Sequence, residues 1–216
     1  MRKLMEFHRS PNSVKARIGL AVKALDYEAE EMYAADRAPM MEAAGWPLVP
    51  ILLDGDVVMR DSTAILHYLD TNYREGTPLV PESRDEILSG QGVVLNLQPE
   101  ILRIQWSLRP QLDLPEEERD PERMKVGRRA LNDALLQLEG RLSHAEWLVG
   151  DAMSIYDVVL ACDLLPSRPP ARFVEQSPLW RFYSEHFTLE PDREHVAAWM
   201  DRVLAWDGLE PATAEK

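Results

Sequence analysis

Two hydroxyl side chains and an amide crowd the junction between the first predicted strand and the first predicted helix. Ser10, Asn12 and Ser13 follow a short alternating run and precede a long apolar segment with helical spacing. Ser10 before Pro11 is a good helix start, in which the serine caps the helix and the proline takes its first position. A helix start and contact with a ligand are compatible roles for Ser10, and both interpretations stay open.

A second polar group surrounds the next pair of predicted strands. Pro50 cannot donate to a sheet ladder, so at the start of a strand it marks a turn into the sheet, often a cis one. Such a turn leaves the backbone N–H and C=O of Val49 free to pair with an extended peptide. At the following helix start, Asp61 and Ser62 offer a carboxylate, a hydroxyl and helix N–H groups, which suit the charged end of an amino acid. The same pair is also a normal helix cap.

Other chemistry-bearing residues favour structural roles. Ser154 and Asp157 have the spacing of a capping box at the start of an apolar helix, so we interpret them as folding residues. Cys162 lies inside that apolar helix and is interpreted as a small buried hydrophobe. The five histidines show no metal-ligand spacing, and we therefore predict no metal site.

The elements that would position these residues form two predicted domains. Residues 1–75 have the pattern of strand, helix, weak strand, hairpin and helix, with Asp54-Gly55-Asp56 as the hairpin signal. Residues 76–84 are rich in proline, glycine and polar side chains and are predicted to be a linker. Residues 85–216 are helical in pattern. The predicted fold class is thus α/β plus all-α.

Individual elements carry more specific predictions. In the first strand Met5 alternates with Glu6, so the strand should be covered mainly on one face. We predict a long apolar-rich helix over 87–108, kinked near its proline, and one amphipathic helix over 130–142. The tail at 209–216 is predicted to be loose.

Composition limits the class of partner. The chain has 216 residues and a net charge of −13, which argues against a nucleic-acid backbone or an anionic membrane as partner. No apolar run is long enough to span a bilayer, and the N-terminus meets charge too early for a secretory signal. One cysteine excludes an internal disulfide framework and suits the reducing cytosol. We expect a cytoplasmic protein.

Taken together, these motifs resemble those of the cytosolic glutathione transferases. The resemblance covers the chain from Leu4 to about Trp206 and depends on the order of the motifs around a linker near residue 80. The motifs are Ser10-Pro11-Asn12-Ser13, Val49-Pro50, Asp61-Ser62-Thr63-Ala64-Ile65, and Leu148-Val149-Gly150-Asp151 followed by Ser154 and Asp157. The resemblance implies an N-terminal thioredoxin-like domain that binds glutathione and an all-helical glutathione transferase C-terminal domain. It also implies a homodimer and a variable apolar electrophile site between the two domains.

The resemblance also implies roles for single residues. Ser10 matches the hydroxyl that activates the thiol in the serine-type classes. In nu-like and etherase-like bacterial members an asparagine at the place of Asn12 assists the thiol, and the Arg-Ser pair before it resembles the zeta class. Val49 matches the residue whose backbone pairs with the cysteinyl part of glutathione, and Pro50 matches the cis-proline. Asp61 and Ser62 match the pair that holds the γ-glutamyl end.

Three positions depart from the family pattern. Leu48 stands where a lysine or glutamine usually meets the glycine carboxylate of glutathione, so we expect that removal of this carboxylate costs little affinity. Asp61 replaces the usual Glu or Gln and reaches less far. Tyr156 stands where the capping-box segment usually has a small residue.

The function implied by this resemblance is a glutathione transferase. Its glutathione thiolate would be conjugated to a hydrophobic electrophile, or displace a leaving group from it, in a detoxification role. Two alternatives stay open. One is a glutathione-dependent isomerase or ether-cleaving enzyme that uses the same thiolate. The other is a non-catalytic module that uses this fold for protein contacts, which the change at Leu48 favours.

Overall fold

The computed structural model describes residues 1–208, which fall into two compact units. The first unit is Met1–Arg84 and the second begins at Asp85. The tail at 209–216, predicted to be loose, lies outside the described residues. The first unit holds β1 (Arg2–Glu6), α1 (Pro11–Val22), β2 (Tyr27–Glu31), α2 (Ala38–Ala44), β3 (Ile51–Asp54), β4 (Val57–Arg60) and α3 (Ser62–Asn72).

The second unit is helical. Its helices are α4 (Arg84–Leu112), α5 (Pro121–Ala134), α6 (Leu136–Leu142), α7 (Ile155–Asp163), α8 (Ala171–Gln176), α9 (Pro178–His186) and α10 (Glu194–Leu204). Short 3-10 turns lie at Glu116–Glu118, Leu165–Ser167 and Ala205–Asp207. Within the described residues no helix is both long and apolar enough to cross a bilayer.

The four strands of the first unit form one mixed sheet in the order β2-β1-β3-β4. β1 is parallel to β2 and antiparallel to β3, and β3 and β4 form the predicted hairpin. Strand β2, only weakly indicated by its acidic sequence, pairs with β1 along its full length from Tyr27 to Glu31. The sheet and its helices are the predicted thioredoxin-like layer.

Both faces of the sheet are covered by helices, because alternate side chains of β1 and β3 point to opposite sides. On one face, Leu4 and Leu52 pack with side chains of α1 and α3. On the other face, Met5 and Ile51 pack with Met40 of α2. Burial of both faces explains the apolar character of β3, which sequence periodicity alone does not assign to a two-sided core.

One prediction for β1 is wrong. Glu6 is 3% exposed, whereas the alternation with Met5 predicted that one face of the strand would be largely uncovered. The physical reason is a partner on α1: the Glu6 carboxylate forms an ion pair with the buried guanidinium of Arg17. A buried charge is tolerated when an opposite charge and hydrogen bonds satisfy it.

Residues 76–84, predicted to be a linker, lie within the first unit and are anchored to it. Leu79 is fully buried. The Asp70 carboxylate accepts hydrogen bonds from the backbone N–H groups of Leu79 at 2.7 Å and Val80 at 3.2 Å. The same carboxylate lies 2.7 Å from the ammonium of Lys23, whose side chain is 1% exposed.

In the second unit the predicted helix over 130–142 is divided in two. α5 ends and α6 begins on either side of Leu135, whose ψ of −3° departs from the helical value near −42°. The predicted apolar stripe is nevertheless buried, including Leu131, Leu138 and Leu142. The stripe thus indicated the buried face correctly but not the interruption of the helix.

The predicted capping box at the start of α7 is confirmed and has a further partner. The Asp157 carboxylate accepts from the Ser154 N–H at 2.8 Å and from the Leu148 N–H at 2.9 Å. It also accepts from the indole N–H of Trp199 on α10 at 2.8 Å. Burial raises the pKa of Asp157, and these hydrogen bonds counteract that rise. One carboxylate therefore joins α7, its preceding loop and α10.

Tyr156, the unusual residue of this segment, packs against a glycine on α4. A Cβ added to Gly90 would lie 2.1 Å from the Tyr156 ring. Glycine is therefore the residue that lets the ring fit, and the large side chain at 156 is matched by a missing side chain at 90. No local sequence signal connects the two positions.

Candidate active site

Sheet topology brings the three predicted site segments to one edge. β1 ends at Glu6 on this edge, and the antiparallel β3 begins there at Ile51. β4 reverses direction again, so its last residue, Arg60, returns to the same edge opposite Ile51. Ser10 follows β1, Pro50 precedes β3 and Asp61 follows β4. The four-stranded sheet thus gathers residues that are far apart in sequence.

Ser10 occupies the N-cap position of α1, but its hydroxyl makes no capping hydrogen bond. The Ser10 backbone is held on both sides: its N–H donates to the Phe7 carbonyl at 2.8 Å, and its carbonyl accepts from the Val14 N–H at 3.0 Å. The interpretation that the side chain caps the helix is wrong, although the extended backbone of Ser10 is the conformation usual for an N-cap residue. The hydroxyl is half-buried and is not consumed by the helix.

Asn12 connects two of the site segments. Its Oδ1 accepts from Lys15 Nζ at 3.1 Å and from Ser62 Oγ at 3.4 Å. Ser62 is the first residue of α3 and is buried, whereas Asn12 itself is exposed. Because both donors lie on the amide oxygen, the Nδ2 hydrogens of Asn12 are the part that faces an outside acceptor.

Ser13 is the second hydroxyl of the opening motif. It is fully buried in the first turn of α1, and its Oγ has no hydrogen-bond partner among the described residues. Burial places Ser13 away from the solvent-facing edge that carries Asn12. The two serines of the opening motif therefore have different environments.

Asp61 combines an unusual backbone with a capping role. Its φ of 75° lies in the left-handed region that most side chains avoid, which places the residue sharply between β4 and α3. Its Oδ1 accepts from the Ala64 N–H at 2.9 Å, so this carboxylate caps α3. The second oxygen belongs to an exposed side chain. Strained backbone of this kind is tolerated where the surrounding structure fixes it, often at ligand sites.

Val49 and Pro50 meet through a cis peptide bond, as the sequence indicated. Pro50 is buried, and the ladder between β1 and β3 begins only at Ile51. The backbone N–H and C=O of Val49 therefore lie outside that ladder. Leu48, the departure from the family pattern, is 50% exposed.

Two buried cations of α1 were not identified from the sequence. Lys15 and Arg17 are 2% and 5% exposed, although each interrupts the apolar pattern of α1. Arg17 donates from Nη2 to the His8 carbonyl at 3.1 Å in addition to its ion pair with Glu6. These two contacts of Arg17 therefore fix the backbone that leads to Ser10. The sequence signal that could have identified them is the presence of charged residues at positions of α1 that its apolar pattern predicts to be buried.

Comparison with known proteins identifies the family of both units. Residues 4–77 match the family model of the glutathione S-transferase N-terminal domain, and residues 103–207 match that of the glutathione S-transferase C-terminal domain. The chain belongs to the glutathione S-transferase family. The predicted family, fold and class of enzyme are thereby confirmed.

Individual relatives refine this picture. A probable maleylacetoacetate isomerase of Vibrio cholerae is 28% identical over 170 residues, which cover 73% of this chain and 77% of that protein. Glutathione S-transferase Z1 of Arabidopsis thaliana is 41% identical over 83 residues, 37% of each chain. The theta class glutathione S-transferase of Xanthomonas axonopodis pv. citri, solved with glutathione bound, has a TM-score of 0.70 at 20% identity and covers 99% of both chains.

The part of the chain that the structure describes has no candidate metal site. Residues 1–208 contain no group of three or more His, Cys, Asp or Glu side chains arranged to hold a metal ion. Cys162 is buried in α7 and belongs to the second unit. The site is therefore built from hydroxyl, amide, carboxylate and backbone groups.

Proposed function

We propose that the sheet edge at Ser10, Val49 and Asp61 binds glutathione and ionises its thiol for attack on a hydrophobic electrophile. The observation that carries this proposal is the state of Ser10. Its backbone is fixed at the start of α1, while its hydroxyl makes no capping hydrogen bond to the helix. A fixed and uncommitted donor at a helix N-terminus is suited to a thiolate.

The ends of glutathione would be held by groups of opposite character. The ammonium of the γ-glutamyl residue would meet the exposed oxygen of Asp61, and its carboxylate would meet the Ser62 hydroxyl and helix N–H groups. The cysteinyl backbone would pair with Val49, whose peptide groups lie outside the sheet ladder. Such pairing directs the sulfur toward Ser10, which follows the neighbouring strand.

In the reaction, the thiol releases its proton to solvent and Ser10 donates a hydrogen bond to the thiolate. The Nδ2 group of Asn12 supports the same negative charge. The sulfur lone pair then forms a bond to an electrophilic carbon. In an addition, the π bond at that carbon breaks, and its electron pair moves to the activating group and is then protonated by solvent. In a substitution, the bond to the leaving group breaks and its electron pair departs with that group. Each unit by which the thiol pKa falls corresponds to about 1.4 kcal/mol of preference for the thiolate.

A second candidate is a glutathione-dependent isomerase. It is favoured by the relative named as a probable maleylacetoacetate isomerase, which aligns with 73% of this chain. The thiolate would add to an activated double bond, allow rotation, and leave again. Glutathione is then regenerated, so its consumption per product distinguishes isomerisation from conjugation. The remaining alternative, a non-catalytic module, predicts neither reaction.

The assembly proposed for the chain is a cytoplasmic homodimer with a role in detoxification. Helix α4 supports it, because Leu88, Leu95 and Trp106 expose 55%, 73% and 69% of their surfaces. Large apolar side chains on one long helix suit burial against a second copy. Light scattering at micromolar concentration tests this, and a monomer would contradict it.

Thermal unfolding with and without glutathione tests the proposed function. A ligand that binds the folded state raises its stability by mass action, by about 2.7 kcal/mol at a hundred times Kd. Turnover of 1-chloro-2,4-dinitrobenzene with glutathione then tests conjugation. An unchanged Tm at 10 mM glutathione, together with no turnover of an aryl halide or an activated alkene, would contradict the proposal.

A further inference from the structure

We infer that Lys15 is a positioning residue of the proposed thiolate site, whose ammonium holds the Asn12 amide in the orientation that donates to sulfur. The inference rests on the proposed function and deepens it, because it names the group that makes Asn12 a donor. In this role Lys15 acts through Asn12 and does not contact the sulfur itself.

Lys15 occupies a position where a cation is costly. It is the fifth residue of α1 and is 2% exposed. A buried ammonium loses its hydration, and cations are favoured at the C-terminal end of a helix, not near its positive N-terminus. Packing alone would be served by an apolar side chain, as at the fully buried Val14 and Ile18 on the same helix. A lysine at this place therefore requires a polar partner.

A polar partner lies three residues earlier on the same face of α1. The Lys15 ammonium donates to Oδ1 of Asn12 at 3.1 Å. Asn12 is exposed, whereas Lys15 is buried, so the ammonium meets the inner side of the amide. The other side of the amide faces the solvent-exposed edge where the ligand is proposed to bind.

The chemistry of lysine determines which end of the amide lies inside. An ammonium has three donors and no acceptor, so only the amide oxygen can face it. The second neighbour of Asn12 does not make this selection. Ser62 Oγ lies 3.4 Å from the same oxygen, and a hydroxyl can donate to an amide oxygen or accept from an amide nitrogen. The orientation of Asn12 therefore depends on Lys15.

This orientation decides whether Asn12 favours or opposes a thiolate. With the oxygen held inside, the Nδ2 hydrogens face outward, and a donor stabilises a developing negative charge. With the amide reversed, an oxygen with two lone pairs would face the sulfur and disfavour its ionised form. Loss of Lys15 should therefore raise the pKa of the bound thiol at least as much as loss of the Asn12 amide.

Lys23 provides a matched control at the other end of the same helix. It is the C-cap residue of α1, is buried, and lies 2.7 Å from the Asp70 carboxylate. Replacement of either lysine removes one buried ammonium from α1. Only the change at Lys15 should affect the bound thiol, whereas the change at Lys23 should affect stability alone.

The experiment measures the pKa of the bound glutathione thiol by the ultraviolet absorbance of the thiolate. Lys15→Met should raise this pKa by about one unit, which is a tenfold change in the ionisation equilibrium. Lys15→Leu should do the same, so one folded neutral variant is sufficient. Lys15→Arg keeps the donors and should keep most of the wild-type value, and Lys23→Met should keep all of it. S-methylglutathione, which has no ionisable thiol, should bind all variants within about twofold of the wild type.

A double-mutant cycle shows whether Lys15 acts through Asn12. In the Asn12→Ala background, Lys15→Met should cause no further rise of the thiol pKa, because the amide that it orients is absent. A rise that persists in this background would mean that the ammonium acts on the sulfur by its own charge, and would overturn the positioning role.

The remaining outcomes separate the inference from the proposed function. An unchanged thiol pKa in folded Lys15→Met or Lys15→Leu would overturn the inference and leave the proposed function intact. Loss of S-methylglutathione binding in Lys15→Met would overturn it as well and assign Lys15 a purely structural role in α1. A wild type that binds neither glutathione nor S-methylglutathione would refute the proposed function itself.

Discussion

The amide oxygen of Asn12 accepts a hydrogen bond from the hydroxyl of Ser62, 50 residues later in the chain, at 3.4 Å. The contact joins the start of α1 to the start of α3, the two helix N-termini at the site edge. Lys15 donates to the same oxygen at 3.1 Å. Two donors on one oxygen fix which end of the amide faces outward, and the outward end is a donor. An outward donor suits an anion.

Replacement of Asn12 tests this orientation. Asn12→Ala removes the donor and should lower kcat/KM for glutathione about tenfold, with the pH profile shifted to higher pH, because about 1.4 kcal/mol of thiolate stabilisation is lost. Asn12→Asp should lower it further at pH 7, since a second anion beside a thiolate raises the pKa of the thiol. Steady-state pH profiles of both variants check this. Wild-type activity in Asn12→Asp would contradict the assigned orientation.

A second prediction concerns the fit between Tyr156 and Gly90. Gly90→Ala should destabilise the protein by about 1–3 kcal/mol, because the new Cβ would overlap the Tyr156 ring and a packed core resists added volume. Gly92→Ala is the matched control, since a Cβ there meets nothing within 4 Å. Urea unfolding measures both variants.

The double variant shows whether the ring is the cause. Tyr156→Ala should abolish most of the penalty of Gly90→Ala, so the two changes should be strongly non-additive. Additive losses would mean that the glycine is needed for the helix itself and not for the ring.

Asp70 should make stability depend on pH. Burial acts to raise its pKa, but hydrogen bonds from Leu79, Lys23 and Val80 outweigh it, and the pKa is lowered from 3.8. A carboxyl with a depressed folded pKa stabilises the fold above its unfolded pKa and loses that contribution as the pH falls through the folded value. The loss should therefore occur below about pH 4.

Asp70→Asn measures this contribution. At pH 7 it should cost about 3 kcal/mol, because the ammonium of Lys23 would remain buried without its counter-charge. The difference from the wild type should shrink as the pH falls below 4. Urea unfolding over that range is the measurement, and a difference independent of pH would contradict an ionic role.

Much of the fold follows from local sequence signals. The hairpin follows from Asp54-Gly55-Asp56 between two apolar runs, and the cis turn follows from Val49-Pro50. The same signals indicated the residues that the sheet gathers at one edge, because strand order and direction largely determine which chain ends meet. Local patterns were sufficient wherever the stabilising partner is a sequence neighbour.

Features with distant partners could not be predicted in this way. Glu6 is buried because Arg17 meets it, and the fit of Tyr156 depends on Gly90, 66 positions earlier. Ser10 has the sequence and the extended backbone of a helix cap, yet its hydroxyl makes no capping hydrogen bond. Burial and side-chain contacts are determined by the packing of the whole chain. They therefore cannot be predicted from the preferences of single residues.

The central claim is that Ser10 stabilises the glutathione thiolate, and Ser13 offers the control. Both are serines at the start of α1, but Ser13 is buried with an Oγ that has no partner within residues 1–208. Ser13→Ala should therefore leave turnover unchanged and raise stability by up to about 1 kcal/mol, since an unsatisfied hydroxyl is removed. Ser10→Ala removes no capping hydrogen bond, so it should lower the free energy of unfolding by less than the about 1 kcal/mol that loss of an N-cap typically costs.

The pH dependence of turnover in these two variants is the most direct measurement. With an electrophile that the wild type converts, Ser10→Ala should lose two to three powers of ten in kcat, about 2.7–4 kcal/mol, as for loss of a single oxyanion donor. Its profile should move to higher pH, while glutathione affinity changes little because Val49, Asp61 and Ser62 are intact. Ser13→Ala should keep the wild-type profile. Wild-type turnover and an unmoved profile in Ser10→Ala would contradict the claim and leave Ser10 as only the first residue before a helix.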